Sequence, residues 1–314
     1  MPTTYIIGHL KPDTDAVIAA MGLEYLYKNC DCYGYENPQA VVTGALNPET
    51  TFLFDKFSVE HPKQITAADL AEGDKVVLVD HNETSQRLEG LDEAYISEIV
   101  DHHKVNLNLN QPIFMTFKTW GSSSTIVYYL MKENDVTPDK TMASLLLAAV
   151  LSDTVGFKSA TTTEKDTEYG IELAKLAQID DVEAFTLEIF KAKSNVSTLS
   201  PEEIVKNDFK VFEFGKKTFI GQLETVEQDE IFSSKKADLL AAMQSVKAAE
   251  GVELLFLAIT DILKVNTKLL ILGEAEQAIA EAAFGGSTTN NILDIGPKMS
   301  RKKEIAPPIE KALA

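Results

Sequence analysis

The sequence predicts an α/β fold of two domains, and three observations lead to this prediction. First, short apolar runs such as Tyr5–Ile7 and Val76–Val79 alternate with segments of helical spacing over residues 1–190. Such runs are typical of strands buried in a parallel sheet that helices cover on both faces. Second, residues 191–200 are polar and poor in large apolar side chains, which indicates a linker. Third, a chain of 314 residues is long enough for two hydrophobic cores.

The predicted N-terminal domain, residues 1–190, alternates strands and helices along the chain. After the first apolar run, Ala16–Lys28 shows helical spacing, and another apolar run occurs at Ile99–Val100. Four hydroxyl residues, Ser122–Thr125, then precede a helix predicted at Ile126–Lys132. Hydroxyl side chains accept backbone N–H groups at helix starts, so capping is their first expected role, and support of a phosphate site is the alternative.

The predicted C-terminal domain, residues 201–314, is smaller and is expected to combine helices with a mixed sheet. Ser200-Pro201-Glu202-Glu203 predicts a helix start, because Pro is favoured at the first helical position and acids are favoured in the first turn. A second helix is predicted at Leu239–Lys247. Three further runs predict strands: Lys217–Leu223, Leu254–Ile259 and Thr267–Leu272.

Four of the five histidines lie in three acidic clusters, and each cluster directly follows an apolar run of the N-terminal domain. The clusters are Gly8-His9-Leu10-Lys11-Pro12-Asp13-Thr14-Asp15, Asp80-His81-Asn82 and Asp101-His102-His103. Residues just past the carboxyl ends of neighbouring parallel strands converge on one crevice. A single Asp at such a position is usually a cap or turn residue, but capping does not need histidine. The joint pattern therefore predicts a metal site.

The types of ligand narrow the choice of metal. Imidazoles combined with carboxylates, without a thiolate, suit Mn²⁺, Co²⁺ or Zn²⁺, whereas all-oxygen sites favour Mg²⁺ or Ca²⁺. We expect Mn²⁺, with Co²⁺ as the alternative. The candidate carboxylates outnumber the needs of one ion, so two ions that share a bridging Asp are expected. These carboxylates are Asp13, Asp15, Asp80, Asp101 and Asp153.

The composition argues against several other classes of protein. The formal net charge is −19, and a charge this negative repels nucleic acid and anionic membrane surfaces, so neither is expected as a partner. No run approaches the roughly 18 apolar residues that span a membrane, and the N-terminus lacks a basic stretch followed by an apolar run. We therefore expect a cytoplasmic protein whose anionic substrate is attracted by metals and by a local cationic site.

The order of these motifs resembles the DHH phosphoesterase superfamily and, within it, the manganese-dependent (family II) inorganic pyrophosphatases. Besides the three clusters, the resemblance rests on Ser152-Asp153-Thr154 after the apolar helix Leu145–Leu151, and on Ser300-Arg301-Lys302-Lys303. It spans nearly the whole chain. It implies hydrolysis of inorganic pyrophosphate to two phosphates by a hydroxide that two metal ions activate. It also implies a homodimer formed through the N-terminal domain, and a substrate that arrives as its Mg²⁺ complex.

Carried over residue by residue, the resemblance implies two Mn²⁺ ions per subunit with Asp80 as the bridge. The implied ligands are His9, Asp13 and Asp80 for one ion, and Asp15, Asp80, His102 and Asp153 for the other. Asp101 looks like a carboxylate that orients neighbouring imidazoles rather than a ligand. His103 would face the substrate and hydrogen bond the bridging or leaving oxygen. His81 matches a motif position, but no role beyond the surroundings of the ligands can be assigned to it.

The resemblance also assigns substrate binding to cations of the C-terminal domain. Lys210 matches a family substrate lysine, although a lone lysine is ordinarily a solvated surface charge, and Arg301 with Lys302 matches the phosphate-binding pair. Arg offers phosphate oxygens a planar fork, and Lys offers a compact charge. The family usually has Gln after the two lysines, whereas this chain has Glu304. A carboxylate there could pair with Lys302 or Lys303 and weaken their attraction for phosphate.

Two alternatives stay open from the sequence. Another DHH phosphoesterase would cleave short oligonucleotides, cyclic dinucleotides or polyphosphate, but such relatives generally carry a Gly-rich motif with a His in the C-terminal domain. Here Phe284-Gly285-Gly286-Ser287 lacks a His, and no His occurs after His103. A metal- or nucleotide-responsive regulator would need an added sensory module, and the chain has no spare length for one between the domains.

Overall fold

The computed structural model describes residues 2–30, 33–194, 196 and 199–313. The chain divides into two compact units, Met1–Lys193 and Ser194–Ala314. Within the described ranges, each helix is too short or too polar to cross a bilayer. Of the predicted linker at 191–200, residues 191–194 are helical, and Asn195, Ser197 and Thr198 lie outside the described residues, so the linker stays a prediction.

The first unit contains a parallel sheet of six strands. The strands are β1 (Thr4–Ile7), β2 (Pro38–Val42), β3 (Lys63–Gln64), β4 (Lys75–Val79), β5 (Ile96–Asp101) and β6 (Phe114–Phe117). Their spatial order is β3-β2-β1-β4-β5-β6. The chain runs outward from β1 to β3 and returns on the other side of β1 with β4, so the strand order reverses between β1 and β4. Ligands of open α/β sheets bind at the carboxyl ends of strands at such a reversal.

Six helices pack on one face of this sheet, whereas short 3₁₀ turns and loops cover its other face, so the predicted cover of helices on both faces is wrong. The helices are α1 (Thr14–Asn29), α2 (Pro48–Phe57), α3 (Ser123–Glu133), α4 (Lys140–Asp153), α5 (Glu164–Ala177) and α6 (Val182–Ser194). Ile6 packs into the core cluster that holds α1, α3 and α4, whereas its neighbour Ile7 packs into a separate cluster. Successive strand side chains point to opposite faces, so these two clusters lie on opposite faces of the sheet.

The second unit contains a mixed sheet of five strands, in the order β11-β10-β9-β8-β7. The strands are β7 (Asp208–Glu213), β8 (Lys217–Thr225), β9 (Leu254–Asp261), β10 (Asn266–Ile271) and β11 (Ile292–Asp294). β8 and β9 are parallel, and the other neighbours are antiparallel. Together with the parallel sheet of the first unit, this arrangement confirms the predicted fold class.

Helices of the second unit lie before, between and after these strands along the chain. They are α7 (Pro201–Val205), α8 (Gln228–Ser234), α9 (Lys236–Ala249), α10 (Glu274–Phe284) and α11 (Ala306–Leu313). α7 begins as predicted, with a reciprocal cap between the side chains and backbones of Ser200 and Glu203. Arg301–Ile305 forms a short π-helical segment that leads directly into α11, so the basic motif is held at the start of a helix.

Candidate metal centre

The predicted ligands of the first unit are delivered by the strand ends and by two helix termini. His9 follows β1, Asp80 is the first residue after β4, and His102 follows β5. The register aligns these strand ends, because Ile7 pairs with Leu78 and Val79 pairs with Val100. Asp13 caps the start of α1, Asp15 lies in its first turn, and Asp153 ends α4. The structure brings all six side chains to one site.

Three groups of possible ligand atoms meet at this site, and Asp80 belongs to all of them. Two are the predicted ligand sets, and the third consists of Asp80, His102 and His103. His9 Nε2 lies 3.5 Å from Asp13 Oδ2 and 3.6 Å from Asp80 Oδ2. His102 Nε2 lies 3.3 Å from Asp80 Oδ1 and 3.7 Å from Asp153 Oδ2. Within the group of His9, Asp13 and Asp80, and within the group of Asp15, Asp80, His102 and Asp153, the ligand atoms lie within 4.8 Å of one another. Two ligand atoms on one ion with bonds of about 2.1 Å are separated by about 3–3.5 Å, so the spacing fits metal binding.

Both imidazoles of these groups present Nε2 to the carboxylates. His9 Nδ1 lies 2.8 Å from the carbonyl oxygen of Leu10, and His102 Nδ1 lies 2.9 Å from that of Trp120. A carbonyl can only accept, so Nδ1 carries a proton in both rings. His102 Nε2 is fully buried and has no good hydrogen bond within the described residues. Its neighbour is the carboxylate of Asp80 at 3.3 Å, so the nitrogen and the carboxylate are placed to share a metal ion.

The serines at the start of α3 position two of the carboxylates. Asp15 accepts hydrogen bonds from Ser122 Oγ at 2.8 Å, from Ser123 N at 2.6 Å and from Ser124 N at 3.0 Å. Ser123 Oγ donates to Asp80 Oδ1 at 2.9 Å. Ser122 also caps α3, as predicted, by accepting from Ser124 N. These serines thus combine capping with hydrogen bonds to the metal ligands, whereas the sequence suggested support of a phosphate site as the alternative to capping.

Asp80 is held in an unfavourable setting. Its φ of 62° lies in the left-handed region, which is uncommon for non-glycine residues. The side chain is 2% exposed, and burial together with the charge of Asp15 raises its pKa to about 6. The pKa of Asp153 is also raised well above its ordinary value, by burial and by repulsion from Asp15, Asp80 and Asp13. Cations bound between these carboxylates would relieve their mutual repulsion and favour their ionised forms.

The same carboxylates also raise the pKa values of the two imidazoles, against the effect of burial. Burial lowers the pKa of His9, but its contact with Asp13, the carbonyl of Leu10 and the charge of Asp80 together raise it to about 9. His102 behaves alike: burial lowers its pKa, and the contact with Asp80 and the charge of Asp15 raise it to about 9. In the metal-free protein these protons balance part of the negative charge.

Asp101 organises the remaining residues of the clusters. It is 0% exposed, its Oδ1 accepts the backbone N–H of His103 at 3.0 Å and lies 2.9 Å from His103 Nδ1, and its Oδ2 accepts from Asn82 at 2.6 Å. The His103 ring is half exposed. His81 is buried, with Nδ1 2.9 Å from the carbonyl of Val79 and with Nε2 lacking a partner in the described residues.

These side chains open onto one cavity of the first unit. Its volume is about 490 Å³, and its lining includes His9, Asp80, His102, His103 and Asp153. Imidazole nitrogens and carboxylate oxygens without a thiolate form the donor set that suits Mn²⁺, Co²⁺ or Zn²⁺. The residues present therefore fit the predicted pair of metal ions, and the cavity leaves room for a small anion beside them.

The predicted cations of the second unit lie on β7 and in the π-helical segment. Arg301 Nη2 donates to Asp208 Oδ1 at 2.8 Å, whereas Nη1 is buried and has no partner in the described part of the chain. Lys302 is exposed. Lys210 Nζ lies 5.4 Å from the centre of the Phe212 ring.

Glu304 does not behave as the sequence suggested. Its Oε2 accepts the backbone N–H groups of Met299 and Ser300, each at 3.0 Å. No ion pair joins it to Lys302 or Lys303 in the residues that the structure describes. The carboxylate therefore fixes the backbone before the basic motif rather than neutralising the lysines.

Two polar residues near these sites make contacts that carry no signal in the sequence. Lys193 Nζ lies 3.4 Å from the buried carboxylate of Glu49 and donates to Ser152 Oγ at 3.2 Å. Gln222 holds the backbone next to Arg301. Each is a single polar residue within an otherwise ordinary helix or strand, so only the folded structure reveals its partner.

The fold and the site together define a two-domain α/β protein with a carboxylate and imidazole metal centre. The DHH family, N-terminal domain, matches residues 3–150, and the DHHA2 domain matches residues 187–312. A manganese-dependent inorganic pyrophosphatase of Methanocaldococcus jannaschii is 40% identical over 98% of both chains. A probable one from Lactiplantibacillus plantarum is 37% identical over 99% of both.

A solved structure gives the same result. The crystal structure of a Methanococcus jannaschii putative family II inorganic pyrophosphatase matches with a TM-score of 0.61 and 38% identity, over 99% of both chains. The chain belongs to the family of manganese-dependent inorganic pyrophosphatases.

Proposed function

We propose that this protein hydrolyses inorganic pyrophosphate to two phosphates, as a manganese-dependent hydrolase. The observation that carries the proposal is the pair of ligand groups that share Asp80, because two ions around one bridging carboxylate are a recurrent device for phosphoryl hydrolysis. Relatives that match the whole chain bear the name of this activity. In this proposal residues 1–190 form the metal-binding catalytic domain, residues 201–314 the substrate-binding domain, and residues 191–200 the linker.

The side chains of the first unit would hold the two ions and arrange their surroundings. Bound Mn²⁺ supplies Lewis acidity that lowers the pKa of water toward neutrality. Ser123 and the backbone of α3 keep Asp80 and Asp15 oriented. The proposed ligands are His9, Asp13 and Asp80 for one ion and Asp15, Asp80, His102 and Asp153 for the other.

The substrate would be bound by side chains that have hydrogen-bond donors available for it. Arg301 Nη1, buried and without a partner in the described residues, offers a charge-assisted hydrogen bond to a phosphoryl oxygen. We assign Lys302 and Lys210 to the same task. His103, half exposed and oriented by Asp101, is our candidate for hydrogen bonding the bridging or leaving oxygen. Phosphoryl transfer depends mainly on such positioning and charge, and the substrate itself would arrive with Mg²⁺.

A comparison of substrates and metals tests the proposal. Phosphate release is measured from pyrophosphate, tripolyphosphate and a cyclic dinucleotide, after chelation and after add-back of Mn²⁺, Co²⁺ or Mg²⁺. We expect pyrophosphate to be strongly preferred, with activity restored by Mn²⁺ or Co²⁺ well beyond Mg²⁺ alone. Preference for a cyclic dinucleotide or tripolyphosphate would instead support another DHH phosphoesterase, and full restoration by Mg²⁺ alone would contradict the imidazole-containing site.

We also propose that the protein is a homodimer formed through the N-terminal domain. β6 is an edge strand of the parallel sheet, and it carries Phe114 and Met115, which are 71% and 56% exposed. An exposed apolar edge strand tends to pair with another strand, and a second copy of the chain offers the same edge in an isologous arrangement. Sedimentation of Phe114→Lys is expected to show monomers. Ile171→Lys, at another exposed apolar position, is the control and should stay dimeric.

The cytoplasm is the compartment that we propose. Pyrophosphate is released where nucleoside triphosphates are cleaved during polymerisation, and a hydrolase that removes it is useful there. Cell fractionation followed by immunoblotting tests this assignment, and recovery in an extracellular fraction would contradict it.

A further inference from the structure

A connected set of buried polar side chains hydrogen bonds to the backbone around Arg301. Gln222 on β8, Thr260 on β9 and Thr267 on β10 are 4%, 0% and 0% exposed, and we call these three residues the clamp. Gln222 Nε2 donates to Thr260 Oγ1 at 3.1 Å and to the carbonyl of Met299 at 2.8 Å. Its Oε1 accepts the backbone N–H of Arg301 at 3.2 Å.

Thr260 and Thr267 extend the clamp to Lys298, three residues before Arg301. Thr260 Oγ1 and Thr267 Oγ1 are 2.9 Å apart, and Thr267 Oγ1 donates to the carbonyl of Lys298 at 2.7 Å. Because the Thr267 hydroxyl donates its proton to that carbonyl, the Thr260 hydroxyl must donate to Thr267. Thr260 Oγ1 in turn accepts from Gln222. Both amide protons of Gln222 and both hydroxyl protons are therefore used, and the direction of each hydrogen bond is fixed.

The carboxylate of Glu304 also hydrogen bonds to the segment from Lys298 to Arg301. Glu304 accepts the N–H groups of Met299 and Ser300, so side chains satisfy five backbone groups over four residues. Buried polar groups are costly unless they are fully paired, and an apolar residue at Gln222 would suit the strand equally well. The network thus fixes one particular backbone conformation next to the guanidinium, whose Nη1 remains without a partner in the described residues.

We propose that Gln222 is a positioning residue for the substrate, which acts by preorganising the Arg301 backbone through the clamp. The inference rests on the proposed function in one respect, namely that Arg301 binds a phosphoryl group. Fixing the segment before the substrate arrives lowers the ordering cost of binding. Its loss should therefore weaken substrate binding and leave the metal centre of the other domain unchanged.

The test compares Gln222→Met with Gln228→Met in the full-length protein. Gln228 is a matched control, because it is 1% exposed and its amide also donates to two backbone carbonyls, those of Ile259 and Asn266, without touching the clamped segment. With pyrophosphate and Mn²⁺, Gln222→Met is expected to raise KM by about 10-fold or more, with kcat and the Mn²⁺ dissociation constant changed by less than about threefold. Gln228→Met should leave KM unchanged.

Hydrogen exchange gives a readout that does not depend on activity. Exchange of the Arg301 amide should accelerate by about 10-fold in Gln222→Met and stay unchanged in Gln228→Met. Thr267→Val, which keeps the shape of the side chain and removes its contacts to Lys298 and Thr260, should shift both KM and exchange in the same direction by less, and it serves if Gln222→Met does not fold.

The outcomes separate the clamp from the proposed function. A wild-type protein without pyrophosphatase activity, combined with faster exchange in Gln222→Met, would refute the proposed function and support the clamp. An active wild-type protein with unchanged KM in the folded Gln222→Met or Thr267→Val variant would overturn the positioning role, whatever the exchange rates.

Discussion

The ammonium group of Lys193 lies 3.4 Å from Glu49 Oε2, at the point where α6 ends beside the metal centre. Glu49 is 1% exposed, and neither of its carboxylate oxygens has a hydrogen-bond partner within the described residues. Lys193, about half exposed, also donates to Ser152, the neighbour of Asp153. One lysine therefore balances a buried charge and contacts the segment that carries a proposed metal ligand.

Removal of this lysine should destabilise the first unit. We expect Lys193→Met to lower the free energy of unfolding of the metal-free protein by about 1–3 kcal/mol, below the usual cost of breaking a buried pair because Lys193 is half exposed. Adding Glu49→Gln should recover most of the loss, since the buried charge is then gone. Urea unfolding of the two single variants and the double variant measures this coupling.

A lysine with an exposed partner provides the control for this experiment. Lys56 pairs with Glu188, whose side chain is 49% exposed, so Lys56→Met should cost less than Lys193→Met. Equal losses for the two lysines, or a double variant no more stable than Lys193→Met, would show that the Glu49 charge is not what Lys193 balances.

The serines at the start of α3 allow a sharp test of their contact with the metal ligands. Ser123→Ala removes the hydrogen bond to Asp80 and should weaken Mn²⁺ binding by about 10–100-fold, as is typical when a group that orients a ligand is lost. Ser124 is equally buried, but its hydroxyl has no partner in the described residues. Ser124→Ala should therefore leave Mn²⁺ affinity nearly unchanged. Calorimetric titration compares the two, and equal effects would contradict the role of Ser123.

The sequence could predict the sheet and the metal centre because both depend on local patterns. Apolar runs followed by Asp and His mark the ends of β1, β4 and β5, and parallel strand ends meet at one edge. The hold of Ser122–Ser124 on Asp15 and the contact of Lys193 with Glu49 depend instead on how distant helices pack. A single polar residue in a helix or strand is compatible with exposure to solvent, so its pattern does not indicate a buried partner.

Elements at the margins of the sheets were likewise hard to predict. β3 has only two residues, both exposed, and β6 carries exposed apolar side chains, so neither shows the burial pattern of a central strand. The partners of Glu304 also depend on the fold, because the sequence shows its neighbouring lysines but not the backbone N–H groups from which it accepts hydrogen bonds.

Binding of Mn²⁺ should release protons and strengthen as the pH rises. The pKa values of His9 and His102 are raised to about 9, so both rings are protonated at pH 7 in the metal-free protein. An ion needs the Nε2 lone pair of each ring, so binding at pH 7 should release the protons of both rings, and affinity should increase up to about pH 9. Calorimetry in buffers of different ionisation enthalpy counts these protons.

Two histidine variants control this measurement. His9→Gln should reduce the number of released protons by about one, whereas His61→Gln, at a ring that packs on Phe54 away from the clusters, should leave it unchanged. An Mn²⁺ affinity that does not vary between pH 6 and pH 9 would show that the carboxylates do not hold these imidazoles in the protonated form.

The proposed division of work between the domains is tested by separating metal loss from substrate loss. Asp80→Asn removes the charge that both ligand groups share, so Mn²⁺ affinity should fall steeply. Arg301→Ala and Lys302→Ala should leave Mn²⁺ affinity nearly intact, because a cationic side chain cannot bind a metal ion. Each should cost a charge-assisted phosphate contact of about 1.5–3 kcal/mol, or about one to two decades in kcat/KM. Calorimetry and steady-state kinetics are measured on the same three variants. Loss of metal in Arg301→Ala, or normal turnover and metal binding in Asp80→Asn, would contradict the division.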